Sequence, residues 1–478
     1  MNDYQSFIES KTQLTNVGGF DPVWMPDFLF DFQKTLVEWS VQMGRSAIFA
    51  DCGMGKTPMQ LVWAQNVVQK TNKPVLLLTP LAVSQQTGRE ADKFGIETHV
   101  SRDGKHSGGI VITNYEMLHH FDPADFSGVV CDESSILKSY SGKTQKQISR
   151  FMLKIPYRLL CTATAAPNDY IELGTSSEAL GGITHTEMLR RFFRMLDDKG
   201  QKKERRLQAE ADDEVARNPN YYKKLSYRVS QSIGQYRLKH HAIGQFWRWV
   251  TSWAKACRKP SDLGFSDEGY ILPELIENYH LVESEKAPAG CLFAKPAFGL
   301  REEREERMRT LDERCEKVAS LVDHSDPSVI WCHYNPEGDH LEEVVLDSVQ
   351  ISGRTPDEKK IEIYEAFQSG QISNLIIKPK IGAWGLNWQH CNHVVTFPSH
   401  SYEQYYQSVR RCWRFGQERP VRLDVISTEG EERTLKNMTE KARRADLMFE
   451  MMIREMNDSQ SIDLTNNYTN KESIPSWL

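Results

Sequence analysis

The 478-residue sequence lacks the features that mark several protein classes. No two of its nine cysteines are spaced as C-x-x-C, so the pattern does not favour a zinc site. Several lie in apolar, strand-like runs, which is typical of buried free thiols in a reducing cytoplasm. The opening residues, MNDYQSFIES, have no basic patch followed by an apolar run, and no stretch is long and apolar enough to span a bilayer. We therefore expect a cytoplasmic protein without a membrane partner.

Positive charge is not in excess either, since the formal net charge is −6. An acidic total does not favour a nucleic-acid partner, but a basic groove can lie on an acidic body. The charged fraction of 26% is ordinary, and 39% apolar residues with 10% aromatics are enough to build hydrophobic cores. The composition therefore excludes a disordered chain, and the length suits two to three domains.

Short apolar runs alternate with helix-length segments in two parts of the chain. In the first part the runs are residues 46–50, 75–79, 109–113, 128–131 and 158–161. In the second part they are residues 328–332, 348–351, 374–377, 393–397 and 420–426. Runs that are apolar on both faces are typical of parallel strands covered by helices on both sides. The sequence therefore predicts an α/β fold with two such lobes.

The segment between the two parts has charge clusters and no strand–turn–helix repeat. We therefore predict a mostly helical insertion over residues 183–298. This divides the chain into a first lobe over residues 1–182, the insertion, a second lobe over residues 299–458 and a polar tail over residues 459–478.

Basic and aromatic residues interleave within residues 221–260, from Tyr221 to Lys259. Such a composition binds phosphate and stacks on bases. However, Phe246, Val250 and Trp253 follow the spacing of a buried helix face. We therefore expect core positions for these aromatics and DNA contact for some of the basic residues.

Residues 50–57, ADCGMGKT, follow a predicted strand and precede a predicted helix. Glycines let backbone N–H groups turn toward phosphates, and the helix N-terminus adds a positive dipole. The segment therefore predicts a Walker A loop for ATP, in which Lys56 reaches the β- and γ-phosphates and Thr57 holds Mg²⁺. The other predicted nucleotide-binding positions of the loop are Gly53, Met54 and Gly55. Ala50 replaces the first glycine of the motif, and a chance glycine turn that caps a helix is the weaker alternative.

Two carboxylates, Asp132 and Glu133, follow the apolar run of residues 128–131. ATP hydrolysis in such a site needs one carboxylate that binds Mg²⁺ and one that orients the attacking water. We assign Asp132 to the metal and Glu133 to the water. An Asp-Glu pair after a strand is, by itself, more often a turn or a helix N-cap. Its position downstream of the phosphate loop favours the catalytic interpretation.

Taken together, these motifs resemble those of superfamily-two helicases, and in detail those of Swi/Snf-type translocases, similar to phage or prophage helicase-like ATPases. Residues 29–33, LFDFQ, followed by Trp39, are similar to the glutamine motif that reads adenine. Residues 385–389, GLNWQ, resemble the family's G-L-N-L-Q segment. Residues 407–417, QSVRRCWRFGQ, resemble the Q-x-x-x-R-x-x-R-x-G-Q signature, which is the most specific match. The resemblance covers roughly residues 25–180 and 300–430.

The resemblance implies two RecA-like lobes with ATP in the cleft between them. It assigns Gln33, Gly385 and Gln407 to the nucleotide. Arg411 and Arg414 are three residues apart and would share a helix face. From the second lobe they would reach the γ-phosphate, for which the guanidinium fork is suited.

The resemblance also implies residues that grip nucleic acid. These positions are Thr79, Pro80, Thr113, Asn114, Tyr115, Thr162, Thr164, Asn387 and Trp388. Trp388 replaces a leucine of the family, so it either stacks against a base or sugar or packs in the core. Ser134 and Ser135 replace the Ala-His of the family's D-E-A-H segment, which puts the coupling of ATP to nucleic acid in doubt.

The sequence thus predicts a monomeric, DNA-stimulated ATPase that moves on duplex DNA and uses ATP with Mg²⁺. A protein partner is a further expectation. One alternative is a strand-separating or branch-migrating helicase, and another is an ATP-gated clamp for DNA or a partner with little turnover. A third is the motor subunit of a restriction or defence complex, in which a partner would supply the nuclease.

Overall fold

The apolar runs of the first part form a parallel sheet in the computed structural model, which describes residues 18–81, 83–196, 236–283, 300–322, 326–382 and 387–465. Within that part of the chain, seven strands pair in the order β3-β4-β2-β5-β6-β1-β9. The strands are β1 (Arg45–Ala50), β2 (Val75–Thr79), β3 (Thr98–Val100), β4 (Ile110–Asn114), β5 (Gly128–Asp132), β6 (Tyr157–Cys161) and β9 (Ala254–Cys257). Every pairing in this sheet is parallel.

The second part forms another parallel sheet, in the order β10-β15-β14-β11-β13-β12. Its strands are β10 (Leu275–Val282), β11 (Ser328–Trp331), β12 (Ser348–Ile351), β13 (Asn374–Ile377), β14 (His393–Thr396) and β15 (Val421–Thr428). A short antiparallel hairpin pairs β7 (Phe193–Met195) with β8 (Tyr236–Leu238).

Helices cover both sheets. Those of the first lobe are α1 (Asp31–Met43), α2 (Lys56–Thr71), α3 (Ser84–Lys93), α4 (Lys143–Met152), α5 (Leu173–Leu180), α6 (His185–Phe192) and α7 (Ile243–Thr251). Those that follow are α8 (Leu300–Arg309), α9 (Leu311–Leu321), α10 (Asn335–Val344), α11 (Asp357–Gln368), α12 (Pro379–Gly382), α13 (Tyr402–Val409) and α14 (Glu432–Thr465). None of the described helices is both long enough and apolar enough to cross a membrane.

Each sheet has a hydrophobic core on both faces because side chains alternate along a strand. On β1, Ala47 and Phe49 enter one core, whereas Ile48 and Ala50 enter the other, which also holds the apolar side of α1 and α2. The second sheet likewise separates two cores. The predicted α/β fold class with two RecA-like lobes is confirmed.

The segment predicted as a mostly helical insertion differs from that expectation. Its described part includes α6 and α7, but β9 pairs with β1 of the first sheet and β10 pairs with β15 of the second. The β9 sequence, AKAC, is too short to show the alternation of apolar and polar residues that marks a strand. It also follows an aromatic-rich helix directly, so the sequence does not indicate where the helix ends and the strand begins. These strands therefore extend the two lobes instead of forming a separate unit.

The polar tail predicted from residue 459 also needs correction, because α14 continues through Thr465. This helix begins in the second lobe, where Met438 enters a core of the second sheet. It ends in the first lobe, where Met448, Phe449 and Met452 enter the core that also holds α7. The helix therefore connects the lobes a second time. Residues 466–478 lie outside the described part.

Candidate active site between the lobes

The predicted phosphate loop joins the end of β1 to the start of α2. Gly53 and Gly55 have φ angles of 88° and 76°, in the left-handed region that favours glycine. A Cβ on Gly55 would lie 2.2 Å from the Gln33 side-chain nitrogen, and one on Gly53 would lie 3.0 Å from the Phe415 backbone nitrogen of the second lobe. Both glycines are therefore required by the loop conformation and by its neighbours.

Two of the predicted nucleotide-binding side chains contact this loop directly. Lys56 Nζ donates to the backbone oxygens of Ala50 at 3.0 Å and Asp51 at 3.2 Å, which holds the ammonium over the loop. Gln33 Nε2 donates to the Met54 oxygen at 3.0 Å. Thr57 is the second residue of α2, at the helix start where a hydroxyl can reach a metal bound to phosphate.

The acidic pair lies at the end of β5, beside the phosphate loop. Gln60 Nε2, from α2, donates to Asp132 Oδ1 at 2.7 Å. Glu133 has a left-handed backbone, with φ 51° and ψ 54°, which costs on the order of 1–3 kcal/mol in a non-glycine residue and is typical of functional sites. Burial raises the pKa of Asp132, and it raises the pKa of Glu133 to about 7, although Lys56 opposes both shifts.

Side chains from both lobes meet at the Glu133 carboxylate. Thr162 Oγ1 donates to Glu133 Oε2 at 3.2 Å, and Gln407 Nε2 of the second lobe lies 3.5 Å from Glu133 Oε1. The Thr164 backbone nitrogen donates to Thr162 Oγ1 at 3.0 Å. Thr164 Oγ1 in turn lies 3.5 Å from Glu403 Oε1 of the second lobe. The water-orienting candidate is therefore linked to two residues of α13.

The two predicted arginines converge near this point, but they lie beyond α13, which ends at Val409. The expectation that they share a helix face is therefore wrong. Arg411 donates through Nε to the Gln407 oxygen at 3.0 Å, and Arg414 hydrogen-bonds the Asn387 side chain. Burial, together with the charge of Arg411, lowers the pKa of Arg414 to about 10. An anion bound beside the two guanidiniums would offset their mutual repulsion. Gly385 lies outside the described residues.

Sequence reasoning missed a second group of inter-lobe contacts. Arg410 forms a buried ion pair with Asp51 of the phosphate loop, and the Tyr406 hydroxyl donates to the same carboxylate. The Cys52 backbone nitrogen also donates to Asp51 Oδ1, at 2.6 Å. Burial alone would raise the pKa of Asp51, but Arg410 and Tyr406 lower it below its ordinary value. Asp51 lies in the phosphate loop and Arg410 in the arginine signature, but nothing in the spacing of either motif predicts that the two side chains form an ion pair.

The predicted nucleic-acid residues form a set that lines a cleft and a set that is buried, and Trp388 belongs to both. A cleft of about 940 Å³ between the lobes is lined by Pro80, Tyr115, Asn387 and the edge of Trp388. The predicted positions with side chains less than 5% exposed are Thr79, Thr113, Asn114, Thr162, Thr164 and Trp388. For the threonines and Asn114 of this buried set, contact with nucleic acid stays a prediction. Some of their polar groups bond inside the protein, as when the Asn114 side chain accepts from the Met117 nitrogen at 3.1 Å, but among the described residues the buried Thr113 hydroxyl has no hydrogen-bond partner.

For Trp388 the packing bears on the two alternatives left open by the sequence. Its ring lies 5.8 Å from Trp331 and 5.5 Å from Phe367, in a core of the second lobe. Its side chain is 1% exposed, so the core alternative holds and base stacking does not. The same holds for Phe246 and Val250 of α7, which are fully buried as expected. Residues 221–235, with their interleaved tyrosines and lysines, lie outside the described part.

The cleft carries six cationic side chains from both lobes. They are Arg89, Lys93, Arg102, Lys138, Lys360 and Lys380. Acidic side chains also line it, among them Glu133 and Glu403, and Lys138 pairs with Glu403 across the lobes. The water-orienting candidate is thus exposed to the same cleft as the cations.

The donor set fits ATP and Mg²⁺. Lys56, Arg411 and Arg414 provide cations, and the two left-handed glycines leave the loop open to backbone contacts. Mg²⁺ is usually bound by one or two carboxylates together with substrate phosphates, a role open to Asp132. Within the described residues, no group of three or more His, Cys, Asp or Glu could hold a metal ion on its own.

Part of the chain matches a model of a known protein family. The family described as helicase conserved C-terminal domain matches residues 312–416, which span most of the second lobe from α9 to the arginine signature. No curated protein matches the chain. The family match supports a helicase-type protein of superfamily two, with a nucleic-acid motor function and ATP hydrolysis.

Proposed function

We propose that this protein is an ATP-driven motor of the Swi/Snf type that moves along double-stranded DNA. The observation that carries the proposal is the Glu133 carboxylate, which is bonded by Thr162 of one lobe and approached by Gln407 of the other. Hydrolysis then requires both lobes to be in place, and this is how a motor links its chemistry to lobe movement.

Each residue of the site has a separate role in this proposal. Lys56 and the loop N–H groups hold the β- and γ-phosphates, and Thr57 with Asp132 would hold Mg²⁺, which neutralises phosphate charge when bound. Glu133 orients the attacking water and accepts its proton, so its carboxylate must be ionised. Gln33 supports the loop from α1 and is placed for the adenine.

The arginines supply charge from the opposite lobe. Arg411 and Arg414 would bind the γ-phosphate as charge develops on it, an effect on the order of a thousandfold or more in related motors. Because both belong to the second lobe, they reach the phosphates only when the lobes are closed. Opening after hydrolysis would remove them, so each cycle is tied to a change in lobe separation.

A chain of contacts connects this chemistry to the cleft proposed for nucleic acid. Glu133 bonds Thr162, Thr164 approaches Glu403, and Glu403 pairs with Lys138 at the cleft wall. A phosphate that binds Lys138 would compete with Glu403 for it, and so would loosen the contact of Glu403 with Thr164. Ser135 lies beside this series of contacts, at the position where the family has a histidine, and its hydroxyl is a weaker hydrogen-bonding group.

Duplex DNA is the proposed track because the signature of residues 407–417 separates the Swi/Snf type from helicases that act on RNA. The test is the steady-state ATPase rate without nucleic acid and with duplex, single-stranded or forked DNA or RNA, with Lys56→Ala as the blank. We expect strong stimulation by duplex DNA that Lys56→Ala abolishes. Stimulation only by single strands or forks would indicate an unwinding enzyme, and stimulation by RNA would overturn the subclass.

A further inference from the structure

We propose that a basic surface at the base of the β7–β8 hairpin is a second binding surface for duplex DNA, outside the cleft. We call it the hairpin surface, and it rests on the proposed function because duplex DNA is its ligand. Its members are Arg190, Arg191, Arg194, Arg237 and Lys239.

The five side chains lie together because of how the hairpin joins α6. Strand β7 follows α6 without a break, and Lys239 comes directly after β8. Lys239 Nζ donates to the backbone oxygens of Arg190 at 2.8 Å and Arg191 at 3.1 Å, and its backbone nitrogen donates to the Phe192 oxygen at 2.8 Å. The lysine therefore caps the C-terminus of α6 and holds both ends of the surface in place.

Like charges oppose each other directly on the hairpin. Arg194 and Arg237 are paired residues in the antiparallel register, where Cβ atoms are typically about 5 Å apart and like charges destabilise the pair. Burial, and then the charge of Arg194, lowers the pKa of Arg237. A phosphate that binds the exposed Arg194 guanidinium would offset part of this positive charge.

Three of the arginines are available to a ligand. Arg190, Arg191 and Arg194 are exposed, and no ion pair joins any of them to an acidic side chain of the described residues. The backbone beneath them is rigid, since Phe192 is buried and its ring packs against Phe246 at 5.6 Å and Trp249 at 5.4 Å. The surface thus presents exposed guanidiniums from a packed base, and that of Arg191 lies over the Phe192 ring at 5.4 Å. Such an arrangement suits the recognition of a phosphate backbone.

The hairpin surface continues from the rim of the cleft. Lys138 and Ser139 line the cleft, and the next residue, Tyr140, stacks on His185 of α6 at 4.4 Å. At 1.5 Å per helical residue, Arg191 lies roughly 9 Å farther along α6 than His185. That length corresponds to about three base pairs at 3.4 Å each, so a stiff duplex that leaves the cleft along α6 would reach the surface within a few base pairs.

The test compares two variants of the whole chain that lose the same charge. The first carries Arg190→Gln, Arg191→Gln and Arg194→Gln. The control carries Lys105→Gln, Arg301→Gln and Arg454→Gln, whose side chains are 88%, 92% and 76% exposed elsewhere. Duplex affinity is measured by fluorescence anisotropy over a series of salt concentrations, with duplexes of about 10 and about 40 base pairs, which is around one and four helical turns.

We expect the first variant to bind the long duplex more weakly and with a shallower salt dependence. Three lost phosphate contacts reduce the slope of log affinity against log salt by about 2–3. Binding of the short duplex and the ATPase rate without DNA should stay at wild-type values, as should every property of the control. A third variant with lysine at the three positions should keep the wild-type slope, because the charge is retained.

An unchanged slope in the first variant would overturn the hairpin surface, even if duplex DNA stimulates the wild-type ATPase. Equal loss in the control would also overturn it, because the effect would then be one of net charge. The affinity measurement does not depend on ATP hydrolysis, so the two proposals can fail separately. A wild-type protein that binds duplex DNA without any increase in its ATPase rate would contradict the proposed function. The hairpin surface would still be tested by the salt dependence of affinity in the first variant.

Discussion

Glu133 combines three properties that belong together only in a reactive site. It is half-buried at the wall of the cleft, its backbone is left-handed, and its carboxylate contacts side chains of both lobes. A carboxylate poised near neutral pH can accept a proton and is still largely ionised above that pH. The sequence identified this residue from its place after a strand, but its link to Gln407 of the second lobe requires the folded chain.

The Glu133 pKa of about 7 leads to a prediction about how the ATPase rate depends on pH. Burial raises this pKa above the ordinary value, so the carboxyl takes up a proton as the pH falls through about 7 and can no longer act as a base. We expect the DNA-stimulated rate to rise with pH and to reach half its maximum near pH 7. Glu172→Gln is the control, since burial raises the pKa of Glu172 to about 7 as well but it bonds Asn168 instead. A rate that is flat through this range, or a profile that changes in the control, would contradict the role of Glu133.

The buried ion pair of Asp51 with Arg410 leads to a prediction about the thermal stability of the protein. Loss of one partner leaves a buried charge without compensation, which typically costs about 3–5 kcal/mol, whereas loss of both costs much less. We expect Asp51→Asn and Arg410→Gln each to lower the thermal midpoint more than the double variant does. Scanning calorimetry of the four proteins measures this. Additive effects would show that the two residues are not coupled.

At the scale of elements, the apolar runs located strands well. Residues 75–79, 348–351 and 374–377 form β2, β12 and β13 with the predicted bounds. Strands β2 and β13 are buried along their whole length and are therefore mostly apolar, whereas β12 is largely half-buried. Strand β10 was missed because it pairs on one edge only and half of its residues are exposed. The arginine turn after α13 was missed for another reason, since a three-residue spacing does not distinguish a helix from a turn.

The C-terminal helix α14 makes a prediction at this scale. Phe449 is buried in the first lobe, and the Arg258 guanidinium lies 4.5 Å from its ring centre. Phe449→Ala should remove about 3–5 kcal/mol of packing and free the end of the helix from the first lobe. We expect faster amide hydrogen exchange in α14 after about residue 444, with the second sheet unchanged. Glu450→Ala, at an exposed position of the same helix, is the control, and equal protection in both variants would contradict the inter-lobe packing of α14.

At the scale of the molecule, the two lobes are joined in sequence and in space. The segment with β9 and β10 adds a strand to each sheet, and α14 returns from the second lobe to the first. The phosphate loop, the acidic pair and the arginines lie between these two connections. Nucleotide binding and lobe movement would therefore act on the same interface. The net charge of −6 is compatible with a polyanionic track because the cleft offers six cationic side chains beside its five carboxylates, and the hairpin surface adds exposed arginines.

Movement along duplex DNA is the central claim, and displacement of a third strand from a DNA triplex tests it most directly. The third strand is released when a motor passes, without separation of the duplex itself. We predict ATP-dependent release by the wild-type protein and none by Lys56→Ala or Glu133→Gln. Duplex-stimulated ATP hydrolysis without release, or separation of a forked duplex in place of release, would contradict the claim.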